Sequence, residues 1–90
     1  MYHRCYYVYI VTNVLRSVLY IGITNDLKAR LVEHYLGKSA FTRWYGVHYL
    51  LYYEVDRYIL NAIQREKQLK GWTRARKMAL IGKTNPDWRF

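Results

Sequence analysis

The stretch YYVYIVTNVLRSVLYIGIT, residues 6–24, is made almost entirely of β-branched and aromatic residues on either side of a polar break. Such side chains crowd a helix and suit a pleated strand. The stretch therefore predicts two strands, about Cys5 to Thr12 and Val18 to Ile23, joined by a turn at NVLRS. Side chains alternate across a strand, so parity sorts them. Tyr6, Val8 and Ile10 share one face with Leu19, Ile21 and Ile23; the other face carries Tyr7, Tyr9 and Val11 against Val18, Tyr20 and Gly22. A turn of about four residues would set Tyr9 directly across from Tyr20, with ring contact in reach. Gly22 leaves a notch beside them where a backbone or a ligand can approach. Aromatic pairs are ordinary sheet stabilisers, so on the hairpin alone the tyrosines read as packing.

The remaining chain alternates helix and strand signals. TNDLKARLVEHYLG reads as a helix capped by Thr24 or Asn25, with Asp26 at its positive end and Gly37 stopping it. Its inner stripe is Leu27, Leu31 and Tyr35. A loop leads to a third strand, about Val47 to Val55. Asp56 caps a second helix, Arg57 to Lys70, ending at Gly71. Thr73 caps a third helix ending near Gly82. The order β-β-α-β-α-α predicts an α+β fold, a small three-stranded antiparallel sheet flanked by helices. Ninety residues without repeats or linkers suit one domain, residues 1–90.

Fifteen Lys and Arg against six Asp and Glu leave a net charge of +9, which suits a polyanionic partner, nucleic acid first. Cys5 is the only cysteine, so no disulfide forms within the chain, and a reducing, cytoplasmic setting is expected. The three His and one Cys show no zinc spacing. No stretch reads as a signal peptide or a membrane span, so no membrane partner is expected.

Two further features stand out. Arg30 and His34 are four apart, which stacks them at the rim of the first helix's buried stripe; a snorkelling Arg and a surface His would read the same way. Glu66 is sharper. It falls within the inward stripe Ile59, Ala62, Ile63 and Leu69, where an unpaired carboxylate costs several kcal/mol. It must meet a cation, a donor or a metal, and a salt bridge to an Arg is the structural alternative. If both helices pack on the sheet, Tyr9, Tyr20, Arg30, His34 and Glu66 could converge on one cleft suited to phosphodiester chemistry.

YVY at 7–9, YIG at 20–22, Arg30, His34 and Glu66, in that order, make the sequence resemble the GIY-YIG nuclease superfamily. REKQLKGWTRARKMALI through NPDW resembles its small single-domain bacterial branch, relatives of structure-specific junction endonucleases. Two departures are visible. The first motif's Gly-Ile is Tyr7-Val8, and Met78 to Ile81 lack the Asn that several members carry after the glutamate. The resemblance implies hydrolysis of a nucleic-acid phosphodiester, in structured or branched DNA, with one divalent ion, Mg²⁺ or Mn²⁺. Glu66 would hold the ion, Tyr9 would be the general base, Arg30 would stabilise developing charge, and Tyr20 and His34 would orient the reacting groups. A free tyrosine titrates near 10, so Arg30, the metal and His34 would have to lower Tyr9.

Arg43, Trp44, Arg65, Lys67, Lys70, Arg74, Arg76 and Lys77 are expected to grip phosphates without reading sequence, while Trp72 joins the core. GKS at 37–39 lacks the earlier glycine and the following helix of a phosphate loop. The alternative to a nuclease is a DNA- or RNA-binding module that retains the fold. With no room for a recognition domain, a protein partner could supply specificity.

Overall fold

The hairpin predicted at 6–24 forms, but its loop is longer than four residues. In the computed structural model, which describes residues 5–37 and 44–90, β1 (Tyr6–Thr12) pairs with β2 (Leu19–Thr24) from Thr12 opposite Leu19 onward. Asn13 holds the wider loop open: its Oδ1 accepts from the backbone N–H groups of Ser17 at 2.8 Å and Val18 at 3.2 Å. Arg16 takes the left-handed conformation there, at φ 57°. Tyr9 consequently faces Gly22, and Tyr20 faces Val11, so the expected direct Tyr9–Tyr20 pair is corrected to a diagonal one. A slip of two residues preserves parity, and both face assignments survive.

The described elements continue as α1 (Leu27–Tyr35), β3 (Tyr49–Asp56), α2 (Ile59–Lys70) and α3 (Arg74–Gly82), in the expected order. The sheet is antiparallel with strand order β2-β1-β3, an α+β fold. The central strand is buried on both faces. Val8, Ile10 and Ile21 meet Leu51, Ala62, Leu69, Leu80 and Ile81 beneath α2 and α3. Tyr9 and Val11 meet Val47, Leu27 and Leu31 beneath α1. Each large apolar side chain so buried contributes about 1.5–3 kcal/mol. A bulge sets Ile10 opposite Tyr52 and Val11 opposite Leu50, leaving Leu51 between them. Asn85 Nδ2 donates to the Leu51 carbonyl at 3.2 Å, tying the C-terminal segment to that irregularity.

Helix starts differ from the expected ones in detail. Asp26, rather than Thr24 or Asn25, caps α1, accepting from Ala29 N–H at 3.1 Å. Asp56 ends β3 and accepts from Tyr58 N–H, while α2 begins two residues later than expected, after Tyr58. Thr73 caps α3 as predicted. Tyr35 is 71% exposed, and His34 takes the inward place expected of it. Among the described residues, no helix is long and apolar enough to cross a membrane.

Candidate functional site

Tyr9 lies on the central strand opposite a residue with no side chain, and its ring occupies the space thus left. A Cβ on Gly22 would overlap the Tyr9 hydroxyl and sit 2.9 Å from Cε1. The notch expected to admit a ligand is therefore filled by the chain's own phenol. Across that space α1 delivers His34, which is 3% exposed, and its Nε2 lies 2.7 Å from the Tyr9 hydroxyl. The ring of Tyr20 stands edge-on to His34 at 5.4 Å, as does Tyr9 at 5.6 Å. Of the expected residues, Tyr9, Tyr20, Arg30 and His34 are brought together on the α1 face.

The electrostatics run against an easily ionised phenol. Burial, then Tyr20, push Tyr9 up to about 12, and the nearby Arg30 guanidinium only partly offsets them. The expectation that its surroundings lower Tyr9 is corrected for the protein's own groups. Burial, with Arg30 next, holds His34 below its usual range. The resting pair is thus neutral phenol against neutral imidazole, and a phenol donating to Nε2 leaves the ring proton on Nδ1. Among the described residues, His34 Nδ1 and Arg30 Nε are buried without a hydrogen-bond partner. Arg30 Nε is 3.6 Å from Glu33 Oε1. Two unsatisfied polar atoms one helical turn apart, beside a guanidinium charge, suit an incoming anion.

Glu66 is carried by α2. α2 packs on the opposite face of the sheet from α1, so the two helices do not share one cleft above it. The Glu66 side chain is 16% exposed and pairs with Lys70 Nζ at 3.4 Å, one turn along the same helix. The expected alternative partner, an Arg, is not the one used. Among the described residues no group of three or more His, Cys, Asp or Glu forms a metal cage. A single half-withdrawn carboxylate fits Mg²⁺ or Mn²⁺, which keep waters and complete their shells with substrate phosphate; it does not fit Zn²⁺ or Ca²⁺.

The basic residues divide. Arg65 forks onto Glu54 of β3 with two 2.8 Å bonds and donates to Gln68, while Tyr52 donates to Glu54. Burial alone would raise Glu54, yet the Arg65 and Tyr52 bonds hold it below its usual value. Arg74 donates to the carbonyls of Arg16 and Ser17, fastening α3 to the hairpin loop. The guanidinium groups of Arg65 and Arg74 are therefore already engaged as clamps within the fold. Lys70 is tied to Glu66, and the Arg76 guanidinium stands over the Trp72 ring at 4.2 Å. Lys67 is exposed and Lys77 partly so. Trp44 is 80% exposed, and Arg43 lies outside the described residues. The clamps were not legible in sequence because Glu54 and the loop carbonyls are distant along the chain. The clearance role of Gly22 was signalled only by a glycine within a strand.

Comparison with known proteins fits this geometry. The GIY-YIG catalytic domain family matches residues 5–79. A UPF0213 protein of Staphylococcus aureus is 34% identical over 77 residues, spanning 84% of this chain and 93% of that protein. A UPF0213 protein of Bacillus pumilus is 43% identical over 60 residues; that match spans 66% of this chain and 61% of the relative's length. The solution NMR structure of a UPF0213 protein from Bacillus halodurans superposes with a TM-score of 0.60 at 27% identity, covering 93% of this chain and 89% of that one.

Proposed function

The chain belongs to the GIY-YIG nuclease family, and on that footing we propose that it is a divalent-metal-dependent endonuclease acting on structured or branched DNA. We read its 90 residues as one nuclease domain working in the reducing cytoplasm. The observation that carries this reading is the buried Tyr9 hydroxyl held 2.7 Å from His34 Nε2 with the Arg30 guanidinium beside it. Any buried phenol needs a hydrogen-bond partner; a neutral imidazole with a guanidinium beside it is one that can also take its proton.

In this reading Tyr9 takes a proton from the attacking water as its own proton passes to His34 Nε2. His34 must be neutral to receive it, and its environment favours that form at neutral pH. Arg30 meets the charge that develops on the phosphoryl oxygens, and Tyr20 packs against His34 and fixes its plane. Glu66 would hold Mg²⁺ or Mn²⁺ in place of its contact with Lys70. The ion's chemistry there is charge neutralisation and polarisation of the phosphate. Sequence specificity, if required, falls to a protein partner.

The test is cleavage of labelled linear, flapped and four-way-junction DNA with Mg²⁺, Mn²⁺ or EDTA, by wild type, Tyr9→Phe and Glu66→Ala. Metal-dependent cutting by wild type, lost in both variants, is expected. Salt-sensitive binding without cutting by any of them would establish the non-catalytic binding module instead.

A further inference from the structure

The first motif's glycine is Tyr7 in this chain, and the structure gives that ring a use of its own. Tyr7 and Tyr53 stand on the α1 face of the sheet, two residues from Tyr9 and directly opposite Tyr9 respectively. Their centroids are 6.1 Å apart at an interplanar angle of 58°, so the rings splay rather than cover one another. They line a cavity of about 450 Å³ with Asn25, Asp26, Leu27, Lys28 and Leu31. Tyr53 is 52% exposed, an unusual state for a large ring in the middle of a strand.

The lining names the ligand's chemistry. Two phenol rings offer a planar aromatic guest a face. The Asn25 amide donates and accepts, which suits the edge of a heterocycle. One Asp26 oxygen is committed to capping α1, leaving the other to accept from a ring N–H. The exposed Lys28 ammonium suits a phosphate attached to that guest. The cavity is of ordinary ligand-site size, mostly apolar with few polar groups. We propose that this pocket holds an unpaired nucleotide of the bound strand, its base against Tyr7 and Tyr53 and its phosphate at Lys28. The inference rests on the nuclease reading for its substrate class, and a net charge of +9 suits the polyanion.

Position supports it. Leu27 and Leu31 wall the pocket and also pack in the cluster that contains Tyr9. Tyr7 and Tyr9 are about 7 Å apart along β1, two residue steps. A nucleotide seated there therefore lies close to the phosphates that the Tyr9 cluster would meet. An extrahelical base costs least where DNA is already distorted, so the pocket selects branched, flapped or bulged substrates by their unpaired bases. It is a device for shape recognition within the nuclease fold itself.

The experiment is equilibrium binding in EDTA, where cleavage plays no part. The probes are a blunt duplex, the same duplex with one bulged 2-aminopurine, the free single strand, and deoxyadenosine monophosphate. Wild type should prefer the bulged and single-stranded probes and quench the 2-aminopurine. Tyr7→Gly and Tyr53→Ser should each lose about tenfold on those probes and lose the quench, with duplex binding unchanged. Tyr7→Trp should keep both, and Tyr58→Ala, an exposed ring elsewhere, should change neither. Thermal melts of each variant separate a folding loss from a binding loss. Equal weakening on all probes by folded variants, or no weakening, overturns the pocket. Binding of the free monophosphate with no bulge preference reassigns it to a free nucleotide and likewise overturns it. A wild type that cuts DNA but shows no bulge preference defeats this inference alone, whereas one that binds no DNA defeats the nuclease reading as well.

Discussion

At Tyr9 two demands oppose each other: a buried ring packs well, and a buried phenol resists ionisation. The hydrogen bond to His34 reconciles them by giving the hydroxyl a partner and a route for its proton. Tyr9→Phe keeps the ring and removes that route. Cleavage should fall at least about 100-fold, while urea unfolding should report a loss of about 1–3 kcal/mol, because His34 Nε2 is left buried without its partner. Comparable activity in the variant would remove Tyr9 as the base. Gly22 is the complementary case. An alanine within a strand ordinarily outperforms glycine, but here the methyl overlaps the Tyr9 hydroxyl. Gly22→Ala should destabilise by about 1–3 kcal/mol through overpacking. It should also shift the His34 ring signals in NMR; a stable variant with unmoved His34 signals would show that the phenol yields freely.

Elements are joined by polar clamps as well as by apolar contact. Arg65 of α2 forks onto Glu54 of β3, with side chains 29% and 26% exposed. Arg65→Lys retains the charge but not the fork. We expect a stability loss of about 1–2 kcal/mol, between exposed and buried pairs, with duplex affinity at fixed salt unchanged. Weaker DNA binding without a change in melting would return Arg65 to the phosphate-binding set. On the same helix, Glu66→Leu replaces a largely buried carboxylate whose partner Lys70 is 54% exposed. Its melting temperature should hold or rise while metal-dependent cleavage disappears. A clear drop in stability would instead identify Glu66 as a structural ion-pair member.

The whole molecule's pH profile follows from its buried titratable groups. His34 is held below its free value of 6.5, so the unfolded chain binds the proton first as pH falls. Its contribution is present above about 6.5 and is lost as pH drops through the lower folded value. Arg30, Glu33 and His48 bear on that titration, and His34→Gln should flatten the acid limb of a melting-temperature profile. Tyr9 and Tyr52 behave oppositely. Both rise from 10.0 to about 12, so their contribution is intact below 10 and lost as pH climbs toward 12. Tyr52→Phe should therefore reduce the fall in melting temperature across that alkaline window; an unchanged slope would show that Tyr52 is not held as the geometry indicates.

The local code of this chain was legible without coordinates. Alternation set the strand faces, caps and glycines bounded the helices to within a few residues, and the family resemblance named Tyr9, Tyr20, Arg30, His34 and Glu66 as companions where spacing alone read as packing. The strand faces and helix bounds depend on near neighbours and on periods of 2 and 3.6, which are written directly in the residue order. The loop length escaped because Asn13 opens it with side-chain bonds that compete with a tighter turn. The filled notch at Gly22, the packing of α2 on the face opposite α1, and the Arg65 and Arg74 clamps also escaped. Each depends on which face a helix chooses and on groups far apart in the chain. The β2-β1-β3 order with helices on both faces decides those contacts, because packing energy is summed over the whole sheet rather than any one segment.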